Sequence, residues 1–145
     1  MSNSDENVAA NGVTHLDVAV VGAGFSGLYM LYRARDVMNL DVRVFEAADG
    51  VGGTWYHNRY PGCACDIQSH LYSFSFEFKP DWSRPYAPQP ELLAYMEGIA
   101  EKYDLLPHCR FEQEVGKAMW DEASSRWTLN MTNDEVVQAD IVVSA

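Results

Sequence analysis

The feature that most constrains this chain is Gly22-Ala23-Gly24-Phe25-Ser26-Gly27, because of what stands on either side of it. Leu16 to Val21 is a short, mostly apolar run with valine at three of its six positions. It reads as a strand buried on both faces of a parallel sheet. Gly27, Leu31, Ala34 and Met38 then recur at helical spacing, which predicts a helix over about 24–38. Val42 to Phe45 is a second apolar strand. Strand, helix and strand in so short a span make one βαβ unit with a right-handed crossover.

A G-x-G-x-x-G that leaves a strand and opens a helix is a pyrophosphate cradle. Its first glycine makes the tight turn, the second lets backbone approach the phosphates, and the third lets helix pack on strand, while the helix N-terminus offers amide donors. Glu46, nineteen residues past Gly27 at the end of the second strand, supplies the acidic partner that this context requires. Its carboxylate can accept ribose hydroxyls and would repel a 2'-phosphate. The pair Gly52-Gly53, followed by Thr54 and Trp55, gives a second place where backbone can come close to a cofactor. Two glycine contacts flanking an acidic strand end favour FAD over NAD.

Beyond Ala47 the chain changes character. Glycines and prolines break up any long regular element as far as Pro90, yet the aromatic content between Trp55 and Phe78 argues for an ordered, functional loop. Leu71 to Phe78 alternates, with Tyr72, Phe74, Phe76 and Phe78 on one side, so part of it is expected to be extended. A helix is predicted from near Pro90, with Leu92, Met96, Ile99 and Tyr103 on one face. Arg110 to Val115, Met119 to Asp121, Arg126 to Met131 and Glu135 to Gln138 read as short strands of an antiparallel meander, and 139–145 as a further buried-type strand. The expected class is α/β: a Rossmann-like FAD-binding domain with a parallel sheet, a βαβ start and a small antiparallel β-meander, incomplete as it stands. Residues 1–13 are expected to be a disordered tail, and 14–145 the domain segment.

Composition narrows the function. A formal charge of -11, spread along the chain without a basic stripe, makes nucleic acid and anionic membrane poor partners. Val18 to Tyr32 is too short an apolar stretch to span a bilayer, and the polar N-terminus lacks a signal-peptide layout, so a cytoplasmic location is the default. Cys63, Cys65 and Cys109 form neither a disulfide framework nor a zinc spacing, and no metal site is expected. Asp66, just after Cys65 in the aromatic loop, is the titratable residue of most interest: beside an apolar flavin site it makes sense as the partner of an arginine or as a hydrogen-bond acceptor, and otherwise as a loop-capping residue.

Four ordered motifs carry a specific resemblance: 20–29 around the glycine cradle; Val51-Gly-Gly-Thr-Trp-Tyr56; Asn58-Arg-Tyr-Pro-Gly62 with Cys65-Asp66; and Tyr72-Ser-Phe-Ser-Phe76. Together they resemble the start of Baeyer-Villiger monooxygenases, class B flavin-dependent enzymes. The resemblance implies an oxidoreductase that holds FAD, takes electrons from NADPH, and uses O2 to insert one oxygen beside a ketone carbonyl, giving an ester or lactone. It assigns Gly22, Gly24, Phe25, Ser26 and Gly27 to the pyrophosphate and Glu46 to the adenosine ribose. Thr54, Trp55, Asp66, Ile67 and Tyr72 fall to the flavin side, Gly53 is cofactor-binding through the backbone approach described above, and Val115 meets the adenine through its backbone. It also places Asp66 beside a catalytic arginine near the nicotinamide. The second, NADPH-binding domain and that arginine lie outside these residues, and His57 and Ala64 stand where many relatives have Trp and Arg. Two alternatives stay open: a nitrogen- or sulfur-oxidising flavin monooxygenase, and a non-catalytic nucleotide-binding module.

Overall fold

The computed structural model describes residues 13–145, so all but the last residue of the expected N-terminal tail lies outside the described residues. Strand β1 (Thr14–Val21) leads into helix α1 (Phe25–Tyr32), which widens into a π-helical turn at Arg33–Val37 before β2 (Val42–Phe45). Asn39, with φ of 54°, ends that turn in the left-handed conformation that a short polar side chain tolerates. The single helix expected over 24–38 is therefore an α-helix followed by one wide turn.

A short helix α2 (Thr54–His57) and the long α3 (Gln89–Lys102) precede β3 (Cys109–Arg110), β4 (Val115–Asp121), β5 (Arg126–Met131) and β6 (Val136–Ser144). All six strands share one sheet, in the order β3-β2-β1-β6-β5-β4. β1 runs parallel to β2 and to β6, with Val20 opposite Val44 on one side and Val143 on the other. β6 pairs antiparallel with β5, and β5 with β4. The meander is thus present, but its last expected strand and the separate strand expected over 139–145 are one: β6 runs unbroken through Gln138 and Asp140 and serves both halves of the sheet. The strand expected over 110–115 reduces to Cys109–Arg110 beside β2, with turn residues before β4.

Alternation along β1 divides the core. Val18 and Val20 join Leu28, Leu31, Val44, Met96 and Ile99 in one cluster, while Ala19 joins Phe45, Leu129, Met131 and Val137 in the other. Fully burying each of the larger aliphatic side chains contributes roughly 1.5–3 kcal/mol. Arg35 ties the helical layer together by donating to the backbone oxygens of Tyr103 and Asp104, just past the end of α3, where a cation also meets the negative end of the helix dipole.

Residues 71–78 are not extended. Turns replace the expected strand, since the Phe74 amide donates to the Tyr95 hydroxyl and the Tyr72 amide to the Gln68 carbonyl, leaving no ladder to form. The rings pack on α1 instead: Phe74 stacks on Phe25 at 4.6 Å and Phe76 on Tyr32 at 4.2 Å between centroids. No helix among the described residues is long and apolar enough to cross a membrane.

Gly98 lies inside α3, and a Cβ built there meets nothing within 4 Å. Gly98→Ala is expected to raise stability by about 0.5–1 kcal/mol, the usual helix-interior difference, read as a higher midpoint in urea with an unchanged slope.

Candidate dinucleotide site

Where β1 ends, Gly22 turns the chain with φ of 101°, a conformation that disfavours any side chain. Gly27 sits behind this turn, close enough that a Cβ would stand 1.9 Å from the Gly22 carbonyl oxygen. Helix and strand are therefore packed backbone to backbone. No side chain caps α1, so its first-turn amides are left without side-chain acceptors beside the turn.

The second glycine pair meets the first directly. Gly53 has φ of 53°, and a Cβ on it would lie 2.9 Å from Gly24 Cα. The Gly52 amide donates to the Ala23 carbonyl at 3.0 Å, which pins the two loops together. The Gly53 side of the contact has no room for a side chain, while a Cβ on Gly24 would meet Gly53 Cα at 3.6 Å, an ordinary contact. With glycine at both positions, backbone alone lines that stretch of wall, as close approach to phosphates requires.

Glu46 frames the same cleft from the end of β2. It is buried, with Oε2 accepting from the Ala23 amide at 2.7 Å and Oε1 from the Ala48 amide at 2.9 Å. Each carboxylate oxygen has a further lone pair, so the group can brace the glycine loop and still accept from a ribose.

The resulting cleft has a volume of about 420 Å³ and is lined by Gly22, Gly24, Phe25, Ser26, Glu46, Gly52, Gly53, Thr54, His57, Tyr72 and Ala145. The structure thus gathers Gly22, Gly24, Phe25, Ser26, Glu46, Gly53, Thr54 and Tyr72 from four separate segments. Gly27 acts from behind the wall. Trp55 is buried behind it too, its indole N–H donating to the Tyr72 hydroxyl at 3.2 Å. Asp66 and Ile67 are exposed on the loop after Cys65 and do not line this cleft; Val115 opens β4 and packs with the second core cluster. The glycine turns, α1 and Glu46 fit a dinucleotide's pyrophosphate and ribose.

Two contributions escape sequence reasoning. His57 reaches the cleft because α2 turns it back beside Thr54, and a four-residue helix leaves no periodic signal. Gln89 is buried and its side-chain amide donates to the Trp55 carbonyl, tying α3 to α2. Cys109 lies near Glu46, and burial together with that negative charge pushes its thiol up to about 12, far from a reactive thiolate.

Residues 20–89 match the NAD(P)-binding Rossmann-like domain family. A Baeyer-Villiger monooxygenase of Pseudomonas aeruginosa is 50% identical over 130 residues, which are 90% of this chain and 25% of that protein. One of Streptomyces coelicolor is 47% identical over 131 residues, again 90% and 25%. Among solved structures, oxidized steroid monooxygenase bound to NADP superposes with a TM-score of 0.87 at 48% identity, over 91% of this chain and 26% of that one. The chain therefore spans about a quarter of the length of the relatives it matches. In sequence and in fold it is the counterpart of the N-terminal segment of Baeyer-Villiger monooxygenases.

Proposed function

We propose that this chain is the FAD-holding N-terminal segment of an NADPH-dependent monooxygenase that uses O2 to insert oxygen into small ketones. The observation that carries the reading is the contact of two glycine loops, Gly24 against Gly53, over the Glu46 carboxylate. A single cradle serves NAD or FAD alike, whereas the doubled glycine wall suits the longer flavin dinucleotide. Gly22 to Gly27 and the first turn of α1 bind the pyrophosphate, and Glu46 accepts from the adenosine ribose. Thr54 and Tyr72 bound the flavin end, with Tyr72 held in place by Trp55. Bound flavin supplies two-electron exchange with nicotinamide and activation of oxygen.

Asp66 keeps its catalytic assignment in this proposal, with Ile67 beside it and Val115 at the adenine. Asp66 is exposed and has no hydrogen-bond or ion-pair partner among the described residues, so its carboxylate is available to hold an arginine supplied from beyond them. The chain's own part in the reaction is to bind and orient the cofactor and to place that carboxylate.

Titration of the purified chain with FAD and with NAD, followed by quenching of Trp55, tests the cofactor assignment. FAD is expected to bind at least about tenfold more tightly, a difference of about 1.4 kcal/mol. Equal binding, or preference for NAD, would return the site to a generic nucleotide module.

A further inference from the structure

A second cleft lies apart from the glycine cradle and shares no lining residue with it. Its volume is about 400 Å³, and its lining includes Arg59, Tyr60, Gly62, Arg84 and Pro88 but no carboxylate. In a chain with 21 acidic and 10 basic side chains, such a lining is unexpected. Arg35, Arg43, Lys79, Lys102 and Arg126 each pair with a carboxylate of this chain. Among the described residues, neither cleft arginine does. Arg84 has no hydrogen-bond or ion-pair partner among the described residues. Arg59 spends only Nε on the fold, donating to the Tyr56 carbonyl at 2.8 Å with its guanidinium 4.8 Å from the centre of the Tyr56 ring.

The loops that carry the two arginines are fastened to each other. Ala64 and Pro88 form an antiparallel bridge, flanked by the Cys65 amide donating to the Ala87 carbonyl and the Gln89 amide donating to the Cys63 carbonyl. The buried Ser69 hydroxyl donates to the carbonyl of Pro85, next to Arg84, and accepts from the Ala87 amide. This frame holds the cleft at the N-terminus of α3, a helix of 14 residues whose positive dipole end favours an anion. Glu91 in the first turn has its carboxylate committed to the Ser83 amide and hydroxyl, and does not line this cleft.

We propose that the Arg59–Arg84 cleft is an anion site that takes the phosphate group of a small molecule. Guanidinium forks match the tetrahedral oxygens of phosphate two at a time, and two unneutralised forks on a braced frame at a helix N-terminus make one receptor for a dianion. The proposal does not depend on which dinucleotide the glycine cradle holds.

Inorganic phosphate titrated into the purified chain, with backbone amide and arginine Nε–H resonances followed by NMR, tests it. Saturable shifts are expected at Arg59 and Arg84, with binding weakened about tenfold or more in Arg84→Gln, the loss of one charge-assisted pair. Arg84 makes no contact that the fold needs, so this variant is expected to keep the parent's unfolding midpoint. Parallel titrations with 5'-AMP and 2',5'-ADP identify the source: nucleotides binding well above inorganic phosphate, with the same Arg84 dependence, support a nucleotide phosphate, and equal affinity supports free phosphate. Shifts confined to Gly22–Gly27, no shift at any residue, or binding unchanged in Arg84→Gln would each overturn the site.

Discussion

Gly27→Ala is expected to be the most damaging single-methyl change in this chain. The new Cβ would stand 1.9 Å from the Gly22 carbonyl oxygen and 2.9 Å from its carbonyl carbon, and both are backbone atoms that cannot rotate away. Relief requires α1 to lift off the end of β1, which loosens the packing of Leu28 and Leu31, both fully buried. Ordinary overpacking costs about 1–3 kcal/mol where side chains can adjust, so the cost here is expected to exceed about 3 kcal/mol. At about 2–4 °C per kcal/mol for a domain of this size, the melting temperature should fall by about 6 °C or more. The same substitution at Gly98 should do the reverse, so the pair measures position and not composition. A Gly27→Ala chain as stable as the parent would mean that helix and strand are not in backbone contact.

The second large effect belongs to Glu46. Its two oxygens accept from the amides of Ala23 and Ala48, and Ala23 is fully buried, so removal of the carboxylate strands a donor that water cannot reach. Hydrogen bonds to a charged group contribute about 1.5–3 kcal/mol each, and Glu46→Ala is expected to lower stability by about 3 kcal/mol or more. Glu46→Gln should lose much of this too. One carboxamide oxygen can serve one amide, but the NH2 group then faces the other N–H as donor against donor. Urea unfolding of both variants is the measurement. If Glu46→Gln matched the parent, the carboxylate would belong to the ligand alone and not to the frame around it.

The double use of Glu46 shows where sequence reasoning reaches and where it stops. Its spacing from the glycines marks it as an acidic group at a strand end, because strand, helix and strand are local and periodic. Its bonds to Ala23 and Ala48 depend on how two loops meet in space, and no pattern in the chain encodes that meeting. The phenyl rings of 74 and 76 misled for a related reason: alternation implies a strand only when a ladder partner exists, and here Tyr95 and Gln68 take the backbone donors instead. β6 was divided because Gln138 and Asp140 interrupt its apolar run. Those polar residues are tolerated because Gln138 is only half-buried and Asp140 is exposed beside His15, while the backbone at 137–139 pairs with β1 on one edge and β5 on the other, so one strand serves two neighbours of opposite direction. Asp66 is legible as a motif, but its proposed partner lies outside the described residues, and the structure leaves it exposed. The Arg59–Arg84 cleft left no mark in the sequence, since its two cations come together only through the Ala64–Pro88 bridge.

The place of β6 beside β1 also sets a timetable. β1 meets β2 through a short helical crossover, but its other edge, where Val20 faces Val143, waits for residues from the far end of the described chain. On a ribosome adding about 5–20 residues per second, that edge stands open for several seconds or longer after β1 emerges. Through that interval Val18, Ala19 and Val20 present unpaired backbone and apolar side chains at once, the combination that invites pairing with another nascent chain. Closure across so long a separation is also slow for topological reasons. Within the described residues, the nucleotide wall is therefore synthesised well before the strand that secures its other edge.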